Sequence, residues 1–437
     1  MTENKNYRKL VLLLLTIVYG FNFIDRQIVG ILAPFIQEDL GLTNTQIGLL
    51  TGLLFAAFYT IIAIPIAWLA DRYNRVNIVS TALAVWSGFT ALTGFATSFL
   101  QIGLARMGVG IGEAGGSPPS HSIISDLYGK EERTKALSIY SLGIPFGIMF
   151  AYFVVATIAG KSAADVPWRR IFILLGAVGV GLAIIVRLVL REPERGGMEA
   201  QTNIETDPVP FLESLGTLLT IRSWWTMCFG ISIASFVAYS LSAFQTKFIF
   251  ALEPDFNLRT LMIVLGIING IAYAGGTFLG GTLANRWGKK DVRAYAWIPA
   301  ISVALAFPFI LGALWIGTVW AHLALISVFL VFLGVYLGPS FAIAQTLAPI
   351  HMRAMSTALF FFILNMIALG GGPTITGILI DRFLADHDIL YAIRYAFSVV
   401  SVLLLIAAGF FLITSKSLPK DWEDAQRRNE GLAKPES

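Results

Sequence analysis

Ala67-Trp68-Leu69-Ala70-Asp71-Arg72-Tyr73-Asn74-Arg75 ends a long apolar run with a charged turn. Far along the chain, Gly281-Thr282-Leu283-Ala284-Asn285-Arg286-Trp287-Gly288-Lys289-Lys290 does the same, and the two stretches align without gaps. A basic turn repeated at the same place in two halves of a chain indicates a duplicated fold. Outward from these turns, apolar runs cover about 10–36, 46–70, 77–97, 101–124, 134–159 and 169–190 in the first half. In the second half they cover about 222–249, 260–284, 292–313, 320–348, 353–380 and 389–414. A membrane-spanning helix needs roughly 20 such residues. The expected fold is an all-α membrane protein, with twelve transmembrane helices in two pseudo-symmetric six-helix bundles.

Composition agrees. Of 437 residues, 56% are hydrophobic and 13% charged, whereas soluble domains carry about 25% charged residues. The longest polar stretch, Arg191 to Arg222, contains the helix-breaking Glu192-Pro193-Glu194-Arg195-Gly196-Gly197 and a short amphipathic piece, Phe211 to Thr220. The expected domains are an N-terminal bundle at 1–190, a cytoplasmic linker with a short amphipathic helix at 191–221, a C-terminal bundle at 222–414 and a cytoplasmic tail at 415–437. Lys and Arg set the orientation: roughly 22 fall in the N-terminus, the even-numbered loops and the tail, against roughly 7 in the odd-numbered loops. Both termini are therefore expected in the cytoplasm, in a multi-pass protein of the cell inner membrane. The first apolar run is too long for a signal-peptide core and lacks a small-residue cleavage site, so it reads as the first span.

Several function classes are excluded. Cys228 is the single cysteine, so no internal disulfide or cysteine-based metal site is expected. There is no phosphate-binding Gly-x-x-x-x-Gly-Lys loop, no HExxH and no CxxC, and the four histidines are scattered. An enzyme, a metal site, a cofactor and a nucleic-acid partner are not expected. The net charge of +4 follows from basic cytoplasmic loops and needs no acidic partner.

The paired turns resemble the loop motif of the major facilitator superfamily, Gly-x-Leu-x-Asp-Arg-x-Gly-Arg/Lys-Lys. The first copy departs from it at Ala67, Asn74 and Val76, and the second has Asn285 for the aspartate. Arg106-Met107-Gly108-Val109-Gly110-Ile111-Gly112 resembles the superfamily's fourth-span motif, and Gly143-Ile144-Pro145-Phe146-Gly147 a shortened fifth-span motif. Four further segments resemble the spinster group: Asn22-Phe23-Ile24-Asp25-Arg26-Gln27, Asp39-Leu40-Gly41-Leu42-Thr43, Gly110-Ile111-Gly112-Glu113-Ala114 and Gly370-Gly371-Gly372-Pro373. The resemblance implies secondary transport by alternating access. It also implies a lipid-like substrate, since eukaryotic spinster proteins export lysolipids and sphingoid-type lipids.

Charges inside spans cost several kcal/mol and are functional by default. Asp25 and Arg26 lie in the first span, Arg106 and Glu113 in the fourth. Adjacent residues point about 100° apart on a helix, so Asp25 and Arg26 cannot easily pair and are expected to face one cavity. Arg106 and Glu113, about two turns apart, share a face. In the superfamily fold both spans line the central cavity, so the two pairs are expected to meet. A buried carboxylate beside an arginine stays ionised, and takes a proton once an anionic substrate claims that arginine. Asp25 and Glu113 are thus the expected proton-coupling sites, with Arg26 and Arg106 binding substrate or switching between carboxylates. A structural ion network joining the two spans is the competing reading. Asn22, Ser117, Asn269, Gln345 and Asn365 are candidate lining residues.

Asp71, Arg72, Arg75, Asp126, Asn285 and Arg286, with Glu192, are expected to form a cytoplasmic gate of charge-assisted pairs. The candidate hinges are Gly143, Pro145 and Gly147 in the fifth span and Gly370, Gly371, Gly372 and Pro373 in the eleventh. The fourth-span glycines are expected to serve close helix packing. Spans seven to twelve are read as having no second substrate-facing cation, so a cavity charged on one side and apolar on the other suits an amphiphile. The expected partners are membrane lipids, protons and a small amphiphilic or anionic substrate, acting on a monomer. The alternative is a proton-coupled symporter for a small organic anion or sugar acid.

Overall fold

In a computed structural model, residues 5–159, 166–195, 211–349 and 352–432 are described. Every regular element among them is helical. The first half of the chain forms α1 (Lys5–Leu40), α2 (Asn44–Thr51), α3 (Leu53–Arg72), α4 (Arg75–Thr93), α5 (Phe99–Glu113), α6 (Ser117–Leu127), α7 (Lys130–Ser141), α8 (Gly143–Ile158) and α9 (Trp168–Val189). The amphipathic piece of the linker is α10 (Phe211–Thr220), while linker residues 196–210 lie outside the described residues. The second half forms α11 (Arg222–Leu252), α12 (Leu258–Ile268), α13 (Ala274–Gly288), α14 (Ala294–Trp315), α15 (Val319–Gly334), α16 (Leu337–Thr346), α17 (Arg353–Leu364), α18 (Gly372–Leu384), α19 (Ile389–Ser401) and α20 (Leu403–Leu432). Two π-helical segments, Asn269–Tyr273 and Asn365–Gly371, interrupt the eighth and eleventh spans.

Among the described residues, 11 helical stretches are long and apolar enough to cross a membrane. The twelfth is the fourth expected span, which the structure divides into α5 and α6. Pro118 and Pro119 explain the division. Proline has no N–H to give and its ring clashes with the carbonyl four residues back, so the helix cannot run through Ala114 and Gly115. Gly115 and Gly116 instead donate to the carbonyls of Gly112 and Glu113, at 3.0 Å each. Glu113 is thereby the last residue of α5.

The segment Asp39-Leu40-Gly41-Leu42-Thr43 stops one helix and starts the next. Gly41 has φ +62°, a left-handed conformation that favours glycine after a helix. Leu42 N–H closes back on the Gln37 carbonyl at 3.0 Å. Thr43 then caps α2 and forms a reciprocal capping box with Gln46.

The chain packs as two compact units. The first comprises residues 1–203, 242–270 and 373–378, and the second 204–241, 271–372 and 379–437. In the first, glycines let helices touch backbone to backbone. A Cβ on Gly147 would fall on the Gly20 carbonyl oxygen of α1, and one on Gly112 would come within 2.7 Å of the Trp86 backbone nitrogen of α4. The expected bending points Gly143 and Gly147 are therefore sites of close approach between α8 and α1.

In the second unit the described part of the tail is helical. Helix α20 continues from the twelfth span to Leu432, with Leu418 and Ala425 buried. Trp422 stacks on Tyr295 with ring centroids 5.6 Å apart. Asp421 accepts from Ser223 N–H at the start of α11 at 2.7 Å, and Arg428 donates to the Leu347 carbonyl at the end of α16 at 3.0 Å. The tail thus satisfies orphan groups at two helix ends.

The packing predicts opposite outcomes for two glycines. Gly147→Ala overfills the α1–α8 contact and should cost about 1–3 kcal/mol. Gly181→Ala, with open space around it, should gain up to about 1 kcal/mol of helix propensity. Thermal unfolding of the two purified variants in one detergent checks both signs.

Candidate functional site: a buried ion cluster in the first unit

The first unit brings Asn22, Asp25, Arg26, Arg106 and Glu113 together. Arg26 Nε donates to Glu113 Oε2 at 2.7 Å, with the Glu113 side chain fully buried and Arg26 14% exposed. The sequence placed Arg106 and Glu113 on one face of the fourth span and expected the first- and fourth-span charges to meet, and the contact formed is Arg26 with Glu113. Position along α5 explains why Arg106 does not take that place. Two turns on one helix leave about 10 Å between Cα atoms, too far for a direct pair, whereas Arg26 reaches across from α1.

Arg106 is held elsewhere. Its Nε donates to the Leu50 carbonyl at 3.3 Å, a group near the break between α2 and α3 at Gly52. Both guanidinium groups lie against the buried Phe55 ring, Arg26 at 5.1 Å and Arg106 at 4.9 Å from its centroid. Tyr59 and Phe23 approach Arg26 as well, at 4.3 and 5.2 Å. Aromatic faces attract cations most strongly where water is excluded.

Asp25 does not look into the same space as Arg26. It is 1% exposed and accepts a hydrogen bond from Thr90 Oγ1 of α4 at 3.0 Å. The 100° step between neighbouring residues turns Asp25 towards α4 while Arg26 turns towards Glu113. Asp25 still interacts electrostatically with Arg106 and Glu113. Asn22 interacts with Glu113. The four charges balance, yet Asn22 Oδ1, Asp25 Oδ2 and Glu113 Oε1 are buried without a hydrogen-bond partner.

The other candidates disperse. Ser117 is half-buried at the start of α6 and interacts with Tyr140. Asn269 turns its amide back to the Leu265 carbonyl at 2.9 Å. Gln345, exposed, and Asn365, buried, belong to the second unit. Both π-helical segments begin at one of these asparagines, Asn269 and Asn365. The glycine run Gly370 to Gly372 closes the second segment, and Pro373 follows within the first turn of α18.

The expected gate is in part a brace. Arg75 is buried and pairs with Asp126 and, at 2.6 Å, with Glu192. It also donates to Ser122 Oγ at 2.7 Å and the Pro193 carbonyl at 3.1 Å. These bonds tie α4, α6 and the chain after α9 within one unit. Arg72 is exposed, its guanidinium 4.0 Å from the centre of the Trp68 ring. The Asp71 side chain lies outside the described residues. Asn285 and Arg286 are exposed at the end of α13.

Two cations of the later helices, Lys247 and Arg394, are engaged by protein groups. Lys247 of α11 donates to Gln37 Oε1 at 2.6 Å and to Asn44 Oδ1, within the first unit. It was missed because it sits at the end of an apolar run and counted as a loop residue. Arg394 of α19 donates to the Leu314 and Ile316 carbonyls at 2.8 and 3.2 Å, capping the end of α14. Thr90 was also missed, since one threonine in an apolar helix gives no signal by itself.

Discontinuous helices beside buried charge are the way secondary transporters build their sites. Residues 15–373 match the Major Facilitator Superfamily, and the chain belongs to that family. It is 27% identical over 410 residues to an MFS-type efflux pump of Mycolicibacterium smegmatis, covering 93% of this chain and 92% of that protein. It is 25% identical to protein spinster homolog 1 of Xenopus laevis, covering 98% and 84%. A crystal structure of a bacterial homologue of the human lysosomal transporter spinster, inward-facing and unoccupied, matches with a TM-score of 0.88 and 29% identity, over 96% of this chain and 99% of that one. The protein is a spinster-like multi-pass transporter with the twelve-span architecture of that family.

The Arg75 node makes a firm prediction. Arg75→Gln leaves Asp126 and Glu192 without their shared cation and should destabilise the first unit by about 3 kcal/mol, in the range for breaking a buried pair. Arg75→Lys keeps the charge but not the forked geometry and should fall between. Thermal unfolding midpoints of the two variants and the wild type would show this order.

Proposed function

We propose that the chain is a proton-coupled transporter of an amphiphile with an anionic head, exporting it by alternating access across the cell inner membrane with both termini in the cytoplasm. The observation that carries the reading is the set of orphan oxygens on Asp25 and Glu113 in a buried, charge-balanced cluster. A buried acceptor without a donor costs about 1–3 kcal/mol, and a proton on the carboxylate removes the negative charge that burial penalises further.

In this reading the substrate head competes with Glu113 for Arg26, the most exposed cation of the cluster. The aromatic rings around Arg26 receive the adjoining apolar part of the substrate. Glu113, deprived of its partner and buried, takes a proton, because an unpaired buried charge costs several kcal/mol. Arg106 stays fixed on the Leu50 carbonyl and holds the balance of charge beside Asp25. The π-helical segments with Gly370 to Pro373 serve as the flexing points, and the charged turns at Asp71 and Asn285 bias the gate. A monomer suffices for this cycle.

Proteoliposomes loaded with a fluorescent lysophospholipid or a sugar acid and given a pH gradient test the reading. Wild type should move the lysophospholipid in response to the gradient, and Asp25→Asn and Glu113→Gln should each lose at least about tenfold of the gradient-driven rate, the scale of a 1.4 kcal/mol effect. Full gradient-driven transport in both variants would remove proton coupling from these residues. Movement of the sugar acid alone would assign the same site to an organic-anion symporter.

A further inference from the structure

Helix α4 contributes no charge to the cluster, yet it supplies the hydrogen bond that Asp25 makes. Thr90 Oγ1 donates to Asp25 Oδ1 at 3.0 Å, and both residues are buried. One turn earlier on the same face stands Trp86, fully buried. Its indole N–H faces the Asp25 carboxylate and interacts with it, without closing a regular hydrogen bond. The second Asp25 oxygen is an acceptor without a donor. An indole donor and a carboxylate acceptor therefore face each other in one buried pocket.

Trp86 also packs against the helix that carries Glu113. The absence of a Cβ at Gly112 lets α5 settle on the Trp86 backbone, immediately before Glu113. The remaining groups that face Asp25 are Arg106 and Glu113 of α5. Its neighbour Arg26 turns to Glu113. On α8 the titratable residue is Tyr152, which accepts from Gln27 at 3.2 Å. Helix α9, packed against α4, has no titratable side chain from Ile171 to Val186.

We infer that Thr90 and Trp86 are positioning residues of the proton carrier, a two-donor cradle on the third span in which Thr90 holds Asp25 Oδ1 and Trp86 is poised to receive Oδ2. The inference rests on the proposed role of Asp25 and adds the element that governs it. Hydrogen bonds to the ionised form of a carboxylate favour that form. Taking one away should let Asp25 keep its proton to higher pH.

The test needs no substrate. Infrared spectra of the purified full chain are recorded across a pH series, and the carboxylic-acid band that disappears in Asp25→Asn is followed. Thr90→Val preserves shape and removes the donor. Its midpoint should rise by about one pH unit, a single charge-assisted hydrogen bond being worth about that much. Thr90→Ser restores the donor and should return the wild-type midpoint. Trp86→Phe, which keeps an aromatic ring without the N–H, should shift the midpoint in the same direction as Thr90→Val. If Asp25→Asn removes no titrating band, Asp25 is not the proton carrier and the reading beneath fails. If that band is lost in Asp25→Asn but Thr90→Val and Trp86→Phe titrate as wild type, the cradle alone is overturned.

Discussion

The Arg26–Glu113 ion pair is the contact on which the first unit depends. A guanidinium and a carboxylate buried together replace the water they lost only if the geometry is close and the neighbours help. Here the neighbours are the Phe55, Tyr59 and Phe23 faces on the cation side and Asn22 on the carboxylate side. Each comes from a helix whose course the pair constrains. Helix α5 ends at Glu113, and the α2–α3 break lies beside the carbonyl that holds Arg106. Irregular backbone at membrane depth is tolerated where it is buried in protein or lines a cavity. The two helix breaks and the four charges therefore belong to one arrangement.

That arrangement explains how a charged site can be both stable and labile. The cluster is neutral as a whole, so it can sit in an apolar medium. It is under-satisfied in detail, with three acceptor oxygens left over, so a small change in protonation or in the partner of Arg26 alters its energy by amounts comparable to a conformational equilibrium. The Arg75 node is the contrast. It makes four side-chain-donated bonds to Asp126, Glu192, Ser122 and Pro193, and such a saturated node resists change.

Much of the fold was legible in the sequence because span length is imposed by the bilayer. The runs marked at 222–249, 260–284 and 389–414 fall on α11, on α12 through α13, and on α19 through α20. The fourth span was marked but its interruption was not, since Gly115, Gly116, Pro118 and Pro119 have high apolar or neutral character and a hydropathy window averages over them. Asp25, Arg26, Arg106 and Glu113 stood out as charges in apolar helices. Their pairing did not, because it depends on which way adjacent residues turn against α4 and α5. Lys247 was hidden by its place at a span end, and the docked tail by its polar composition, which resembles that of a free tail until Asp421 and Arg428 are seen at helix ends.

The central claim is that binding at the cluster moves a proton. Calorimetric titration of the purified protein with a lysophospholipid, in buffers of different ionisation enthalpy at one pH, counts the protons exchanged. The account predicts net uptake of about one proton as Glu113 loses its guanidinium partner. A binding enthalpy independent of the buffer would contradict it.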